Sequence, residues 1–243
     1  MKTKFSWIFY CLVSLLLSQS LSAAERFVTN ESNGFVWIQQ GKAYPILVDS
    51  REDKGVVRAV ANLQTDAGKV TGITPEIIHS VAGNRMLIIG SIENSSWIKQ
   101  LLKAGKINAA DLQGKREKYI LQMVKQPMEG VDEAVVIAGS DKRGTIYGIY
   151  ELSQQMGVSP WYFWADVPVE KHDIISIKEG IYTDGEPAVK YRGIFLNDEW
   201  PCLGNWAGDT FGGFNSKFYE TVFELVLRLK GNFMWPAMWN SAF

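Results

Sequence analysis

Cysteine is nearly missing from this sequence. Two occur in 243 residues, Cys11 and Cys202, which excludes a disulfide framework and a zinc ribbon. The two histidines, His79 and His172, fall in different elements with no cysteine or paired carboxylates at ligand spacing, so no zinc centre or other metal site is expected. Charge of one sign is not in excess. Lys and Arg number 25, Asp and Glu 26, and the net charge is -1, so the electrostatic footprint of nucleic-acid binding is lacking. There is no G-x-S-x-G nucleophile elbow, no internal repeat and no low-complexity tract. Gly139–Thr145 (GSDKRGT) has the look of a phosphate loop, but no lysine follows Gly144, and the segment reads as a tight strand-to-helix turn. No cofactor is implied. A hydrophobic content of 47% against 21% charged residues excludes a disordered polymer.

What is abundant is aromatic: 12% of the chain, including nine tryptophans. The amino terminus reads as an export signal. Lys2 and Lys4 precede an apolar run from Phe5 to Leu17, and Ser22-Ala23-Ala24 gives a small-x-small cleavage site before Glu25. The apolar run of 13 is short of the ~20 residues of a spanning helix. Residues 1–24 are therefore expected to be removed, leaving 23 basic and 26 acidic residues, a charge of -3, and Cys202 as the sole thiol. The expected location is periplasmic or extracellular, with no membrane span after cleavage.

Residues 25–180 read as a mixed α/β domain, sandwich-like in its layers. Phe35–Gln40 and Tyr44–Val48 read as strands around a Gly41 turn. Val56, Val60, Leu63, Ala67 and Val70 recur at helical spacing, and Gly72 follows as a stop. Glu76–Val81 and Met86–Ile89 read as strands joined by a Gly83-Asn84 hairpin turn. Ser95 or Ser96 caps a helix carrying Ile98, Leu101 and Leu102. Tyr119–Val124 and Ala134–Ala138 are further strands, Arg143–Met156 a helix ended by Gly157, and Ile174–Ile177 a last short strand. Gly180–Pro187 reads as a turn-rich linker.

Residues 181–243 differ. Val189–Asn197 reads as a strand and is followed by a Gly/Trp-rich loop. Asn215 or Ser216 opens a helix with Phe218, Val222, Leu225, Val226 and Leu229 facing the core, and with Glu224 and Arg228 paired outside. Gly231 closes it, and Asn232–Trp235 begins another strand. Such a β-loop-α-β unit connects parallel strands, and eight of them make a (β/α)8 barrel of about 250 residues. The expectation is the start of a truncated (β/α)8 barrel, with this chain the amino-terminal piece of a longer protein.

Strand alternation puts Ile194, Leu196 and Asp198 on one side and Phe195 and Asn197 on the other. A carboxylate above two apolar side chains suits the carboxyl end of a barrel interior, where active sites lie. Asp198 or Glu199 could be one of the two carboxylates that flank a glycosidic bond during hydrolysis. The opposed partner must come from elsewhere, since adjacent side chains diverge. The plain alternative is a loop cap or a pair with Arg192. Trp200, Trp206, Trp235 and Trp239 crowd the last 44 residues, and flat indole faces suit sugar rings. Ordinary packing is an equal reading for any one of them, and Trp239 is the preferred platform.

Together, Tyr191–Glu199 (YRGIFLNDE), Phe211–Asn215 (FGGFN), Leu227–Asn232 (LRLKGN) and Trp235–Trp239 (WPAMW) strongly resemble glycoside hydrolase family 115. Ala138–Leu152 and Pro160–Pro168 (PWYFWADVP) are similar to its amino-terminal domain. The resemblance implies an inverting α-glucuronidase that removes glucuronic acid or its 4-O-methyl ether, α-1,2-linked, from xylan. Its substrate is glucuronoxylan or derived oligosaccharides, and its full-length members are often dimers. It also implies that Asp198 is catalytic and that Asn197, Trp239 and Trp235 bind substrate, while the fragment alone is inactive. Two alternatives stand beside it: a non-catalytic exported carbohydrate-binding protein, and a glycosidase of another family with a similar amino-terminal domain.

Overall fold

The computed structural model describes residues 26–236. The export signal, its cleavage site and Trp239 lie outside them. The centre of the molecule is a six-stranded mixed sheet in the order β10-β7-β8-β6-β4-β5. Its strands are β4 (Ile46–Val48), β5 (Ile77–Ile78), β6 (Arg85–Ser91), β7 (Tyr119–Met128), β8 (Val131–Gly139) and β10 (Ile181–Tyr182). β5, β4, β6 and β8 run parallel, and β7 and β10 join antiparallel at one edge. A second, antiparallel sheet has the order β1-β9-β2-β3, from β1 (Val28–Thr29), β2 (Phe35–Gln39), β3 (Lys42–Ala43) and β9 (Ile174–Ile177).

Alternation sends each strand's side chains into two cores. Ile46, Val48, Leu87, Ile89, Val135 and Ile137 face the four-stranded sheet and two helices, α1 (Lys54–Thr71) and α3 (Lys142–Gln155). Leu47, Met86, Ile88, Val136 and Ala138 face the opposite way onto α2 (Ser96–Lys103). Apolar strands covered on both faces are what a largely parallel sheet requires, and they match the expected α/β layers.

Local chemistry sets the helix ends. The Asp53 carboxylate accepts from Gly55 N at 2.8 Å to open α1, and Gly72 closes it in the left-handed region. All five periodic residues of α1 are buried. Ser95 caps α2 by accepting from Ile98 N. Asp141 caps α3 by accepting from Gly144 N. Gly144 is obligatory there, because a Cβ would stand 2.2 Å from Lys118 O, so the segment similar to a phosphate loop is a tight turn against its own neighbour strand.

Three expectations need correction. The Glu76–Val81 and Met86–Ile89 runs are not a hairpin: β4 lies between β5 and β6, parallel to both, so the Gly83-Asn84 pair serves a longer return. The partner of Phe35–Gln39 across the Gly41 turn is Lys42–Ala43, not the Tyr44–Val48 run, of which only Ile46–Val48 is strand and lies in the other sheet. Gly180–Pro187 is docked rather than free. Ile181 and Tyr182 extend the sheet beside β7, Thr183 donates to Tyr119 O, and Arg116 donates to Pro187 O.

Beyond it come β11 (Gly193–Leu196), α4 (Cys202–Phe211), α5 (Ser216–Arg228) and β12 (Phe233–Pro236). β11 and β12 pair in parallel, with Phe195 opposite Trp235, as a β-α-β unit predicts. The expected Gly/Trp loop is mostly helix α4. Its glycines lower intrinsic helicity, but Leu203, Ala207 and Phe211 at i, i+4 and i+8 bury against α5 and β11. Asn215 opens α5, accepting from Lys217 N and Phe218 N.

α5 also departs from its expected amphipathic pattern. Leu229 is 40% exposed, while Arg228 is 3% exposed. Arg228 pairs with Glu224 as expected, but it also reaches Asp66 of α1 at 2.8 Å. The guanidinium lies over the rings of Tyr150 and Tyr162, 4.5 and 5.0 Å from their centroids. Burial opposes this charge, but Asp66 and Glu224 outweigh it and lift Arg228 above the usual arginine range. Because α5 packs against it, α3 is buried on every side from Gly144 to Ser153, which explains its weak amphipathic pattern.

Two outcomes follow from this packing. Arg228→Leu removes the closer of the two cations beside the buried Asp66 carboxylate, leaving Lys69 at 3.4 Å, and lowers unfolding stability by about 3 kcal/mol in urea titration. Asp49, at the end of β4, carries a pH dependence. The Arg51 side chain, against the opposing effect of burial and with help from Ser96, holds its carboxyl well below the usual carboxylate range. A depressed carboxylate adds stability that is present above its unfolded pKa of about 4 and lost as pH falls through the folded value. Thermal melts of Asp49→Asn therefore lie below wild type at pH 6, and the gap closes as the pH is taken down toward 2.

Candidate active site

The candidate site is the carboxyl end of β11, and a buried polar hub at the opposite end of the strand positions it. Glu117 is 4% exposed and accepts from Arg192 NH2 at 2.7 Å and from Asn232 Nδ2 at 2.8 Å. Arg143 approaches the same carboxylate at 3.5 Å. Arg192 also donates to Lys230 O and Val189 O, and Tyr147 donates to Gly231 O at 2.8 Å. Burial, with Glu117 adding, pushes the Tyr147 hydroxyl up to about 12, so it stays a donor at neutral pH. Lys230 bridges Glu151 and Asp184. Burial works against that ammonium, yet the two carboxylates raise it above the ordinary lysine value. Arg192 thus pairs with Glu117, at the entry to β7, not with Asp198 or Glu199.

From this anchored end β11 and β12 run side by side. Gly193 permits it, since a Cβ there would fall 1.7 Å from Phe233 O. Ile194, Leu196 and Met234 face α4 and α5. Phe195, Phe233 and Trp235 face the other way and are 60%, 47% and 56% exposed. Phe195 meets Trp235 edge to face at 5.8 Å, and Tyr191 meets Phe233 at 6.1 Å.

This reverses the expected orientation. Ile194, Leu196 and Asp198 do share a side, but it is the helix side, because amphipathic α4 and α5 need an apolar surface beneath them. Asp198 is fully buried and its Oδ2 accepts from the Tyr219 hydroxyl at 2.5 Å. Asn197 is exposed on the open side, where its amide donates to Glu199 Oε1 at 2.5 Å. The backbone tightens around them: Glu199 N donates to Asn197 O at 3.0 Å, and Gly204 N to Glu199 O at 2.9 Å. The strand end therefore offers an amide and a carboxylate outward and keeps a second carboxylate within.

Trp235 shares the open face with Asn197, one strand over and below the rim. Trp200 is 58% exposed and meets Phe214 edge to face at 5.5 Å. Trp206 lies in an aromatic cluster with Trp164, Phe211 and Phe218, so packing accounts for it. His79 donates from Nδ1 to Val48 O, and His172 lies beside Asn30 and Glu170; both have structural partners. Sequence reasoning missed Tyr219, Glu117 and Asn232. A tyrosine on the apolar face of α5 is a readable signal, because a buried phenol needs a partner. Glu117 carries no signal, for its partners come from 75 and 115 residues away.

Comparison with known proteins follows the same two parts. Residues 184–243 match the family described as glycosyl hydrolase family 115. Residues 38–152 match the one described as the glycosyl hydrolase family 67 N-terminus. Among solved structures the chain is similar to a family GH115 4-O-methyl-α-glucuronidase with specificity for decorated arabinogalactans. The identity is 35% and the TM-score 0.72, over 84% of this chain and 26% of that one. It is also similar to Streptomyces plicatus N-acetyl-β-hexosaminidase, at 14% identity and TM-score 0.47, over 84% of this chain and 32% of that one. That second likeness is too distant to bear on function. No curated protein matched. The chain spans about a quarter of the length of the glucuronidase it resembles.

Glu117→Ala removes the acceptor shared by Arg192 and Asn232. It is expected to cost about 3 kcal/mol or more in chemical unfolding and to raise hydrogen exchange at the amides of β11 and β12.

Proposed function

The chain belongs to glycoside hydrolase family 115, and from that premise we propose that the whole protein is an exported α-glucuronidase. Its substrate is a polysaccharide bearing glucuronic acid or 4-O-methylglucuronic acid, and glucuronoxylan is the first candidate. The relative at 35% identity is specific for decorated arabinogalactans, so a glucuronidated arabinogalactan is the second. The Lys2–Ala24 pattern supports export.

The observation that carries this reading is the β11-α4-α5-β12 unit. Its strands are parallel, one face is sealed by helices, and the other is an uncovered row of aromatics ending at Asn197 and Glu199. A strand pair with two apolar faces is built to be covered on both. In a (β/α)8 barrel the uncovered face is the inner one, and its carboxyl rim is where substrate sits. Phe195 and Trp235 then form part of the floor, and the Asn197–Glu199 turn part of the rim.

In the inverting mechanism, one carboxylic acid protonates the leaving sugar oxygen, and a carboxylate across the cleft activates water on the opposite face. The two stand about 6.5–9.5 Å apart to admit that water. The Asn197–Glu199 turn supplies one side of this arrangement, with the Asp198 carboxylate held behind it in the helix layer, and aromatic faces such as Trp235 and Trp239 stack on the sugar.

Incubation of the whole protein with glucuronoxylan, and in parallel with glucuronidated arabinogalactan, is expected to release free uronic acid as the inverted anomer, seen by NMR at early times. Asp198→Ala is expected to lower the rate by about 10²-fold or more. Release of the retained anomer rejects the mechanism. Equal turnover by the variant removes Asp198 from the site.

A further inference from the structure

Asp198 and Tyr219 form the best-buried polar contact of the second unit, 0% and 1% exposed, with the phenol hydroxyl 2.5 Å from Oδ2. Asn197, its neighbour, is exposed on the other side of the strand and bonded to Glu199. We propose that Asp198 and Tyr219 are positioning residues: the phenol holds the carboxylate inside the helix layer, which sets the 197–199 turn and presents the Asn197 amide, braced by Glu199, to the sugar. The proposal rests on the glycosidase reading for its consequence, and it assigns sugar contact to Asn197 and Glu199, not to the carboxylate of Asp198.

The geometry fixes each link. Side chains alternate across the strand end, so seating residue 198 toward α5 turns residue 197 to the open face. Tyr219 is the fourth residue of α5, directly after the turn capped by Asn215. Asn215 also donates to Phe211 O at 2.7 Å, which ties the end of α4 to the start of α5 and sets where the phenol points. Its ring is held by Phe218 edge to face at 5.0 Å and by Phe223 in a stack at 6.1 Å.

The test uses uronic acid release from glucuronoxylan by the whole protein. Tyr219→Phe keeps the ring and removes the hydroxyl, and a loss of about 10–10²-fold in kcat/KM is expected from a displaced rim group. Asp198→Asn keeps an oxygen that accepts from Tyr219 and is expected to stay within about tenfold of wild type, while Asp198→Ala falls at least another tenfold. Tyr219→Phe combined with Asn197→Ala is expected to lose no more than the worse single variant, because one acts through the other. If Asp198→Asn is as inactive as Asp198→Ala, or the combined losses multiply, the proposal is overturned. If the wild-type protein releases no uronic acid from either polymer, the glycosidase reading falls. Thermal unfolding then decides the contact itself. Non-additive losses for Tyr219→Phe with Asp198→Ala support the hold on the carboxylate, and additive losses overturn it.

Discussion

Two buried carboxylates of the amino-terminal α/β layers, Asp66 and Glu117, each hold an arginine of the β11-α4-α5-β12 segment. The rest of the architecture depends on that constraint. A carboxylate removed from water is tolerated only when opposite charge or donors reach it. Asp66 sits on the buried face of α1, so Arg228 must come to it, and α5 is drawn against α1 and α3. Glu117 sits at the entry to β7, so Arg192 and Asn232 must come to it, and the amino ends of β11 and β12 are fixed together. The contact between Arg228 NH2 and Asp66 Oδ2 is close but poorly aligned as a hydrogen bond. Its strength is coulombic, and the guanidinium is further held by the Glu224 carboxylate and the rings of Tyr150 and Tyr162.

This arrangement separates anchoring from presentation along one short strand. Polar groups gather at the amino end of β11, where they meet the first domain. Medium-sized apolar side chains line one face, where α4 and α5 cover them. Large aromatics line the other face, and the functional groups stand at the carboxyl end. The motif that marks the family is thus mostly not a catalytic motif in physical terms. Within Tyr191–Glu199, Arg192 anchors, Gly193 allows close approach, Ile194 and Leu196 pack, and only the last three residues stand at the rim.

The elements differ in how readable they were, each for a local reason. α1 is legible because its cap, apolar spacing and terminal glycine agree. α4 was hidden by its two glycines, Gly204 and Gly208, although Leu203, Ala207 and Phe211 carry its helical spacing. The Gly83-Asn84 pair suggested a hairpin, but a turn signal does not specify the partner strand, and β4 took that place. Arg228 looked like a solvent-facing member of an i,i+4 pair, because nothing in its own helix announces the Asp66 waiting 162 positions earlier.

The sequence by itself determined the α/β layering, the ends of α1, α2 and α5 and the parallel β-α-β unit, since these follow from spacing, capping and alternation within a few turns of chain. Only the tertiary structure decided which face of β11 the helices would cover, and hence that Asp198 turns inward to Tyr219 while Asn197 turns outward. Alternation gives two sides but does not say which is which. That choice is made by what packs against the strand, and here the packing is set by charges that lie far away in the chain and meet only on folding.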